Sequence, residues 1–224
     1  NRAEFLRQTL RNVREFLTEE DELLIIDGAS GDHTHQVIQD NADIVSAYTS
    51  EPDRGEAHAL NKGILSARGE IIKFLTDDDY FYPAAVMVAV ETMRAHPELG
   101  ALQCGGESYD RSTGGHEKLA HYVTLVPEQM PPVLGLGLFL RRGVVSQVGL
   151  FDPTTTAVDL DYVHRLLACD VPMKFLRIKL YRHYSHPHSG VVTYTRVHIF
   201  NRLRARLITL LDLPGGDGLS VLLW

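Results

Sequence analysis

Residues 71–76, Ile-Ile-Lys-Phe-Leu-Thr, run directly into three consecutive aspartates, Asp77, Asp78 and Asp79. An apolar-rich run of this length, opening after Gly69, reads as a buried strand. Three carboxylates at its end cannot be core, because each would need a partner to offset its desolvation. In an open α/β sheet the carboxyl ends of the strands are where ligands sit. Like charges gathered there repel one another unless a cation joins them, and oxygen-only donors suit Mg²⁺ or Mn²⁺. The plainer alternative is a solvated acidic turn. Position at a strand end, followed by Tyr80-Phe81-Tyr82-Pro83, favours the cation.

Around this junction, apolar periodicity predicts helices over 4–17, 33–40, 56–67 and 83–94, and strands over 22–27, 44–49 and 70–76. Strands and helices alternating at this spacing imply βαβ units and a parallel sheet. Beyond residue 99 the pattern changes. Short strands over 99–104, 107–110 and 118–125 surround the turn Thr113-Gly114-Gly115 and predict a smaller mixed or antiparallel part. A helix over 159–169, a strand over 173–182 and a basic amphipathic helix over 198–211 complete the reading. The expectation is one domain over 1–224, with a first part over about 1–105, a second over about 106–190, and a basic helical segment after 190.

At 224 residues, 44% of them hydrophobic and 23% charged, the chain has ordinary globular composition. Its longest near-apolar stretch, 133–140, is far shorter than the roughly 20 residues that span a bilayer. Cys104 and Cys169 make no disulfide framework and read as buried thiols in a reducing, cytoplasmic setting. The net charge of −7 is unevenly spread: residues 171–224 carry 8 Lys and Arg against 2 Asp. Such a tail could meet phosphates or the inner face of an anionic membrane, or be a solvated helix face. No nucleic-acid motif accompanies it, so a nucleic-acid partner is not expected.

Two further polar segments follow strand ends. Asp27-Gly28-Ala29-Ser30-Gly31-Asp32 lets backbone approach a ligand while Asp27 accepts from a base or ribose, although an Asp-Gly turn alone is common. Ser50-Glu51-Pro52-Asp53-Arg54-Gly55 leads to Asn61. There Asp53 and Arg54 form either a surface ion pair or, through Arg54, a diphosphate contact.

Taken in order, IIDGASGDHT, SEPDRGEAHALNKGI, ARGEIIKFLTDDDYFYP and VGLFDPTTTAVDLDYVHRL resemble the family-2 glycosyltransferases of the GT-A fold. The likeness covers about residues 1–190. It implies an α/β, GT-A-like, Rossmann-like and mostly parallel sheet flanked by helices. It also implies a nucleotide-sugar donor, with UDP-sugars foremost, a glycan or lipid-linked hydroxyl acceptor, and a Mn²⁺ or Mg²⁺ cofactor.

Carried over by position, Asp27 falls at the nucleotide-contacting acid, and Asp53, Arg54 and Asn61 fall in the segment beside the nucleotide. Asp77 goes to the ribose or metal shell. Asp78 is the direct metal ligand, with Asp79 beside it and His186 completing the shell or touching the diphosphate. Asp159, six residues before Arg165, takes the place of the catalytic base in an inverting displacement. On the residues alone it could equally cap or begin its helix.

Three departures stand out. Gly28 and Val158 replace acids that many relatives carry, and Thr76 stands where many carry Asp. The central first strand expected before Asn1 is absent, which suggests a fragment whose neighbouring strands would be left with open edges. Two other classes compete: a non-catalytic nucleotide-sugar or glycan-binding module of the same fold, and a metal-dependent nucleotidyltransferase. The latter would need a Lys-bearing phosphate loop that the sequence lacks.

Overall fold

A computed structural model describes residues 1–110, 118–123, 135–155 and 158–185. The turn at 113–115, His186 and the basic helix expected over 198–211 lie outside the described residues.

Helix α1 (Ala3–Val13) buries Ala3, Leu10 and Val13 in a cluster with Leu23 and Val37. Asp32, from the loop before α2 (Thr34–Gln39), accepts the Ala3 N–H at 3.1 Å and the Thr34 N–H at 3.1 Å, tying two helix starts to one carboxylate. On its other side α1 is stapled to the acidic loop. Asn12 donates to the Phe81 carbonyl at 2.9 Å and accepts the Phe81 N–H at 2.7 Å, while Thr9 Oγ1 donates to the Asp77 carbonyl at 3.0 Å. Buried backbone groups need such partners.

Strands β1 (Leu24–Asp27) and β2 (Ala47–Ser50) form a two-stranded parallel sheet in which Asp27 lies opposite Ser50. The loops after both strands therefore leave the sheet side by side. Gly55, at φ 102°, turns the second loop into α3 (Glu56–Ser66) through a conformation that favours glycine.

The larger sheet has the order β3 (Ile71–Lys73), β7 (Leu138–Arg141), β5 (Ala101–Asp110), β8 (Met173–Ser185), β4 (Tyr80–Phe81), with β6 (Lys118–Val123) paired to β5. Strands β5 and β8 run parallel and the other pairs antiparallel. The antiparallel part thus reaches further than the periodicity predicts, since β3 pairs only with β7 among the described residues. The cause is β7 itself. Leu138, Phe139 and Leu140 are all buried, so the strand needs cover on both faces and a neighbour on each edge. Strands β1 and β3 are each paired on one side among the described residues.

The segments expected as two strands, 99–104 and 107–110, are one strand, β5. Its register with β8 slips between Cys104 and Gly106. A Cβ on Gly106 would lie 2.4 Å from the Tyr181 ring, so the strand continues only because glycine stands there.

Helices cover the sheet as the α/β class requires. Helix α4 (Pro83–Ala95), opened by Pro83 in its first turn, packs Val86, Ala89 and Met93 onto Leu102 and Phe139. On the other side α3, the short α5 (Val145–Val148) and α6 (Val158–Ala168) bring Ile64, Val148, Tyr162 and Leu166 onto Leu138 and Leu140. Cys104 and Cys169 are free thiols, the first buried and the second half-buried. Among the described residues no helix is long and apolar enough to cross a membrane.

Candidate active site

The carboxyl edge of the small sheet carries Asp27, which is 9% exposed. Its Oδ2 accepts from Ser50 Oγ at 2.6 Å, the Ser30 N–H at 3.0 Å and the Tyr48 hydroxyl at 3.4 Å. Burial alone would raise its pKa, but the hydrogen bonds from Ser30 and Ser50 outweigh that and hold it below the usual carboxylate range. Asp53 crosses from the next loop, with Oδ1 accepting the Gly55 N–H at 2.9 Å. A Cβ on Gly28 would lie 2.6 Å from Asp53 Oδ2, so the absence of a side chain at 28 is what admits this carboxylate. Arg54 is exposed on the same loop. The Asn1 ammonium donates to Ser30 Oγ at 2.8 Å, which brings the start of α1 against this edge.

One residue on, Arg2 meets the acidic run. Its Nη1 lies 3.0 Å from Asp77 Oδ1 and 2.9 Å from Asp78 Oδ2. Burial, with Asp78 alongside, raises the Asp77 pKa against the pull of Arg2.

Asp79 differs from its expected part as a metal ligand. Its side chain is 1% exposed and both oxygens are engaged. Oδ1 meets His183 Nδ1 and the Tyr184 N–H, each at 3.0 Å, and Oδ2 accepts from the Thr76 hydroxyl. Burial pulls the His183 pKa down, but Asp79 and Asp78 together raise it above the ordinary value. Asp79 is therefore a staple between the acidic loop and β8. The loop turns its carboxylates to different partners, which a run of identical residues cannot reveal.

Among the described residues no group of three or more His, Cys, Asp or Glu could by itself hold a metal ion. The donors that fit one are Asp77 and Asp78, because their oxygens converge on a single cationic atom, Arg2 Nη1. Two carboxylates completed by substrate phosphates suit Mg²⁺ or Mn²⁺.

Asp159 lies in the first turn of α6 and is not its cap. Its Oδ2 accepts the Gly135 N–H at 3.0 Å, from a 3-10 turn over Gly135–Gly137, and Oδ1 accepts the Leu160 N–H at 2.8 Å. Burial raises its pKa, and these N–H groups offset only part of the rise. Glu56, at the start of α3, is also raised, first by burial and then by Asp159. Tyr181 is raised by burial and, more weakly, by both Asp79 and Asp159. Asp159 therefore acts electrostatically on Glu56 and Tyr181, and Asp79 acts on the same Tyr181 hydroxyl. Asp161 has a different job: it takes Arg165 Nε at 3.0 Å, while Arg165 also donates to the Val148 carbonyl at 3.0 Å and covers the Tyr162 ring.

Asn61, expected beside the nucleotide, spends its amide on backbone. It donates to the Phe151 carbonyl at 2.9 Å and accepts the Phe151 N–H at 2.8 Å, clasping α3 to the loop that leads into α6.

Residues 1–136 match the family described as Glycosyl transferase family 2. The chain belongs to that family. Among curated proteins it is similar to the poly-β-1,6-N-acetyl-D-glucosamine synthase of Staphylococcus aureus (strain COL), 32% identical over 173 residues, or 71% of this chain and 42% of the relative. The Staphylococcus epidermidis protein of the same name is 24% identical over 78% of this chain and 45% of its own. The chain therefore spans less than half the length of these relatives. Among solved structures, S. aureus TarS 1–349 in complex with UDP-GlcNAc superposes with a TM-score of 0.71 at 13% identity, covering 96% of this chain and 64% of that one. The mannosyltransferase PcManGT from Pyrobaculum calidifontis, in complex with GDP-Man and Mn²⁺, gives 0.62 at 19% identity, covering 95% and 60%. These likenesses show the GT-A fold.

Arg2, Glu56 and Lys73 are the residues of this glycosyltransferase-family site that sequence reasoning passes over. Glu56 had a signal, since it follows Gly55 in a segment already singled out. His183, three residues before His186, was passed over too; His186 lies outside the described residues.

Proposed function

We propose that this chain is the donor-binding and transfer part of an inverting glycosyltransferase. It would move a sugar from a nucleotide-diphosphate sugar to a hydroxyl of a glycan or lipid-linked acceptor, with Asp159 as general base. The observation that carries the reading is Asp159 itself. It is a carboxylate oriented by two backbone N–H groups, without an ion pair among the described residues, and burial makes it more basic than an ordinary aspartate. A base of raised pKa matches proton removal near neutral pH.

In the transfer, the acceptor oxygen forms its bond to the anomeric carbon as the bond from that carbon to the diphosphate oxygen breaks. The acceptor proton passes to Asp159, and the nucleoside diphosphate leaves. A single displacement inverts the anomeric configuration with no covalent glycosyl–enzyme intermediate. Asp27 and Asp53 would accept from ribose or base, and the exposed Arg54 would meet the diphosphate. Asp77 and Asp78 would hold a Mg²⁺ or Mn²⁺ ion, which when bound neutralises charge on the departing diphosphate. The names of the relatives make UDP-N-acetylglucosamine the first donor to try, for a role in polysaccharide synthesis. The basic stretch from Lys179 onward would rest on the cytoplasmic face of an anionic membrane, so liposome co-sedimentation should fall as salt rises.

Calorimetry with UDP-N-acetylglucosamine and GDP-mannose, with and without Mn²⁺, tests donor binding, and release of nucleoside diphosphate tests transfer. Binding of neither donor would sink the proposal. A second reading, donor binding without transfer, draws on Arg2, which already neutralises the Asp77–Asp78 pair. Any turnover that Asp159→Asn abolishes excludes it.

A further inference from the structure

Lys73 closes β3, and its side chain turns inward beneath the site. Its Nζ donates to the Phe74 carbonyl at 2.8 Å and to the Leu136 carbonyl. The rings of Phe81 and Phe139 lie 5.0 and 5.1 Å away. The residue keeps some accessible surface along its length, but its amine is closed in by two carbonyls and two rings. Burial draws its pKa down to about 7, against the weaker opposing pull of Cys104 and Asp79. The neutral amine has two N–H donors, matching the two carbonyls, and the protonated form can direct its third toward a ring face.

Leu136 sits in the middle of the Gly135–Gly137 turn. That turn is fixed at its far end, because a Cβ on Gly137 would lie 2.2 Å from the Cys104 carbonyl oxygen, so the two backbones are in close contact. At its near end the Gly135 N–H donates to Asp159 Oδ2 at 3.0 Å. The amine that holds the Leu136 carbonyl thus stands one residue from the donor that orients Asp159. The other carbonyl it holds, Phe74, lies in the segment leading into Asp77 and Asp78.

We propose that Lys73 is a positioning residue for Asp159, fixing the 135–137 turn to the end of β3 so that the strand carrying the acidic loop also sets the place of the base. This rests on reading Asp159 as the base. It makes a prediction that ordinary core filling does not. Methionine is similar in length and more apolar, so Lys73→Met fills the same space but leaves the Leu136 and Phe74 carbonyls without their donor, losing the hold on Leu136.

The test uses the full chain with UDP-N-acetylglucosamine as donor, measuring kcat, KM and the pH profile, together with amide hydrogen exchange at Gly135. In Lys73→Met, kcat should fall roughly 10- to 100-fold, with donor KM changed by less than about twofold. Gly135 exchange should accelerate while the Phe151 amide stays protected. The acidic limb should move to higher pH, because a carboxylate that loses an N–H donor becomes more basic. Glu56 on α3 and Tyr181 on β8, the titratable groups on which Asp159 acts electrostatically, are unchanged in the variant. Lys73→Gln keeps two N–H donors and should recover most of the loss; if the Met variant does not fold, Gln retaining wild-type Gly135 exchange supports the proposal and unprotected exchange overturns it. A folded Lys73→Met with wild-type exchange and pH profile also overturns it. Asp159→Asn run alongside separates the two ideas. If that variant keeps full turnover, the assignment of the base fails, and Gly135 exchange alone then decides whether Lys73 holds the turn.

Discussion

The site has two acidic corners built on opposite electrostatic terms. At the acidic loop each carboxylate meets a cation: Asp77 and Asp78 share Arg2, and Asp79 takes His183. At the start of α6, Asp159 has no ion pair among the described residues and is held by N–H groups alone, and its charge raises the pKa of Glu56 on α3. An opposite charge within hydrogen-bond reach favours the ionised form, whereas desolvation and a like charge favour the protonated one. Cations at the first corner oppose the rise that burial gives Asp77, whereas at the second corner nothing but N–H groups opposes the rise at Asp159, which suits it to taking up a proton. Two clusters of the same residue type acquire different chemistry from what surrounds them.

The sharpest way to break this comparison is Asp159→Asn. If the second corner is where the proton goes, kcat should fall about 10²- to 10⁴-fold, with donor affinity by calorimetry unchanged; a parallel loss of affinity would make the corner a binding element instead.

Next in size is Asp79→Asn, which strips a charge-assisted bond from a side chain 1% exposed and should cost about 1.5–3 kcal/mol of stability at pH 6 by denaturant titration. The pH dependence carries the sign. The folded-state pKa of His183 is raised, so the pair stabilises fully below the imidazole's ordinary value, near 6.5. That stability is lost as pH rises through the folded value. Wild-type stability should show this decline as pH rises above the ordinary imidazole value and the Asn variant should not.

Arg2→Ala leaves Asp77 and Asp78 to repel each other. Mn²⁺ should bind this variant a few-fold more tightly than wild type in calorimetry, and Mn²⁺ should raise its melting temperature more. Equal Mn²⁺ affinity in the two proteins would mean that the pair is not the cation position.

The smallest effect is expected from Glu56→Gln. Removing a like charge makes Asp159 easier to ionise, so the acidic limb of the pH–rate profile should move to lower pH. That is opposite in sign to the shift expected for Lys73→Met.

How much of this was legible in the sequence divides along physical lines. Asp27 could be read as a strand-end carboxylate, because a charge after an apolar run has nowhere else to go; Asp77–Asp79 lie further on, since β3 stops at Lys73 and residues 74–76 are loop rather than the strand end the apolar run predicts. The helix from Pro83 was readable from proline's fixed φ. The centrality of β7 was not, because Leu138-Phe139-Leu140 is apolar at every position and periodicity gives no edge or partner for such a run. Asp79 looked like its neighbours until folding gave it His183, 104 residues away. Arg2 and Lys73 were invisible for the same reason: each acts on groups that only tertiary structure brings near. Asn61 shows the converse error, since a polar residue in a ligand-lining segment was read as facing the ligand when its amide was committed to backbone.

The clasp between Asn61 and Phe151 joins positions 90 residues apart. Closing so large a loop costs chain entropy before the contacts it brings together can repay it. During folding, the edge carrying Asp27 and Asp53 can assemble from near neighbours, while the corner carrying Asp159 must wait for this distant closure. Competence to capture a donor would then precede competence to react it, and an intermediate caught between the two would grip a nucleotide and leave it intact.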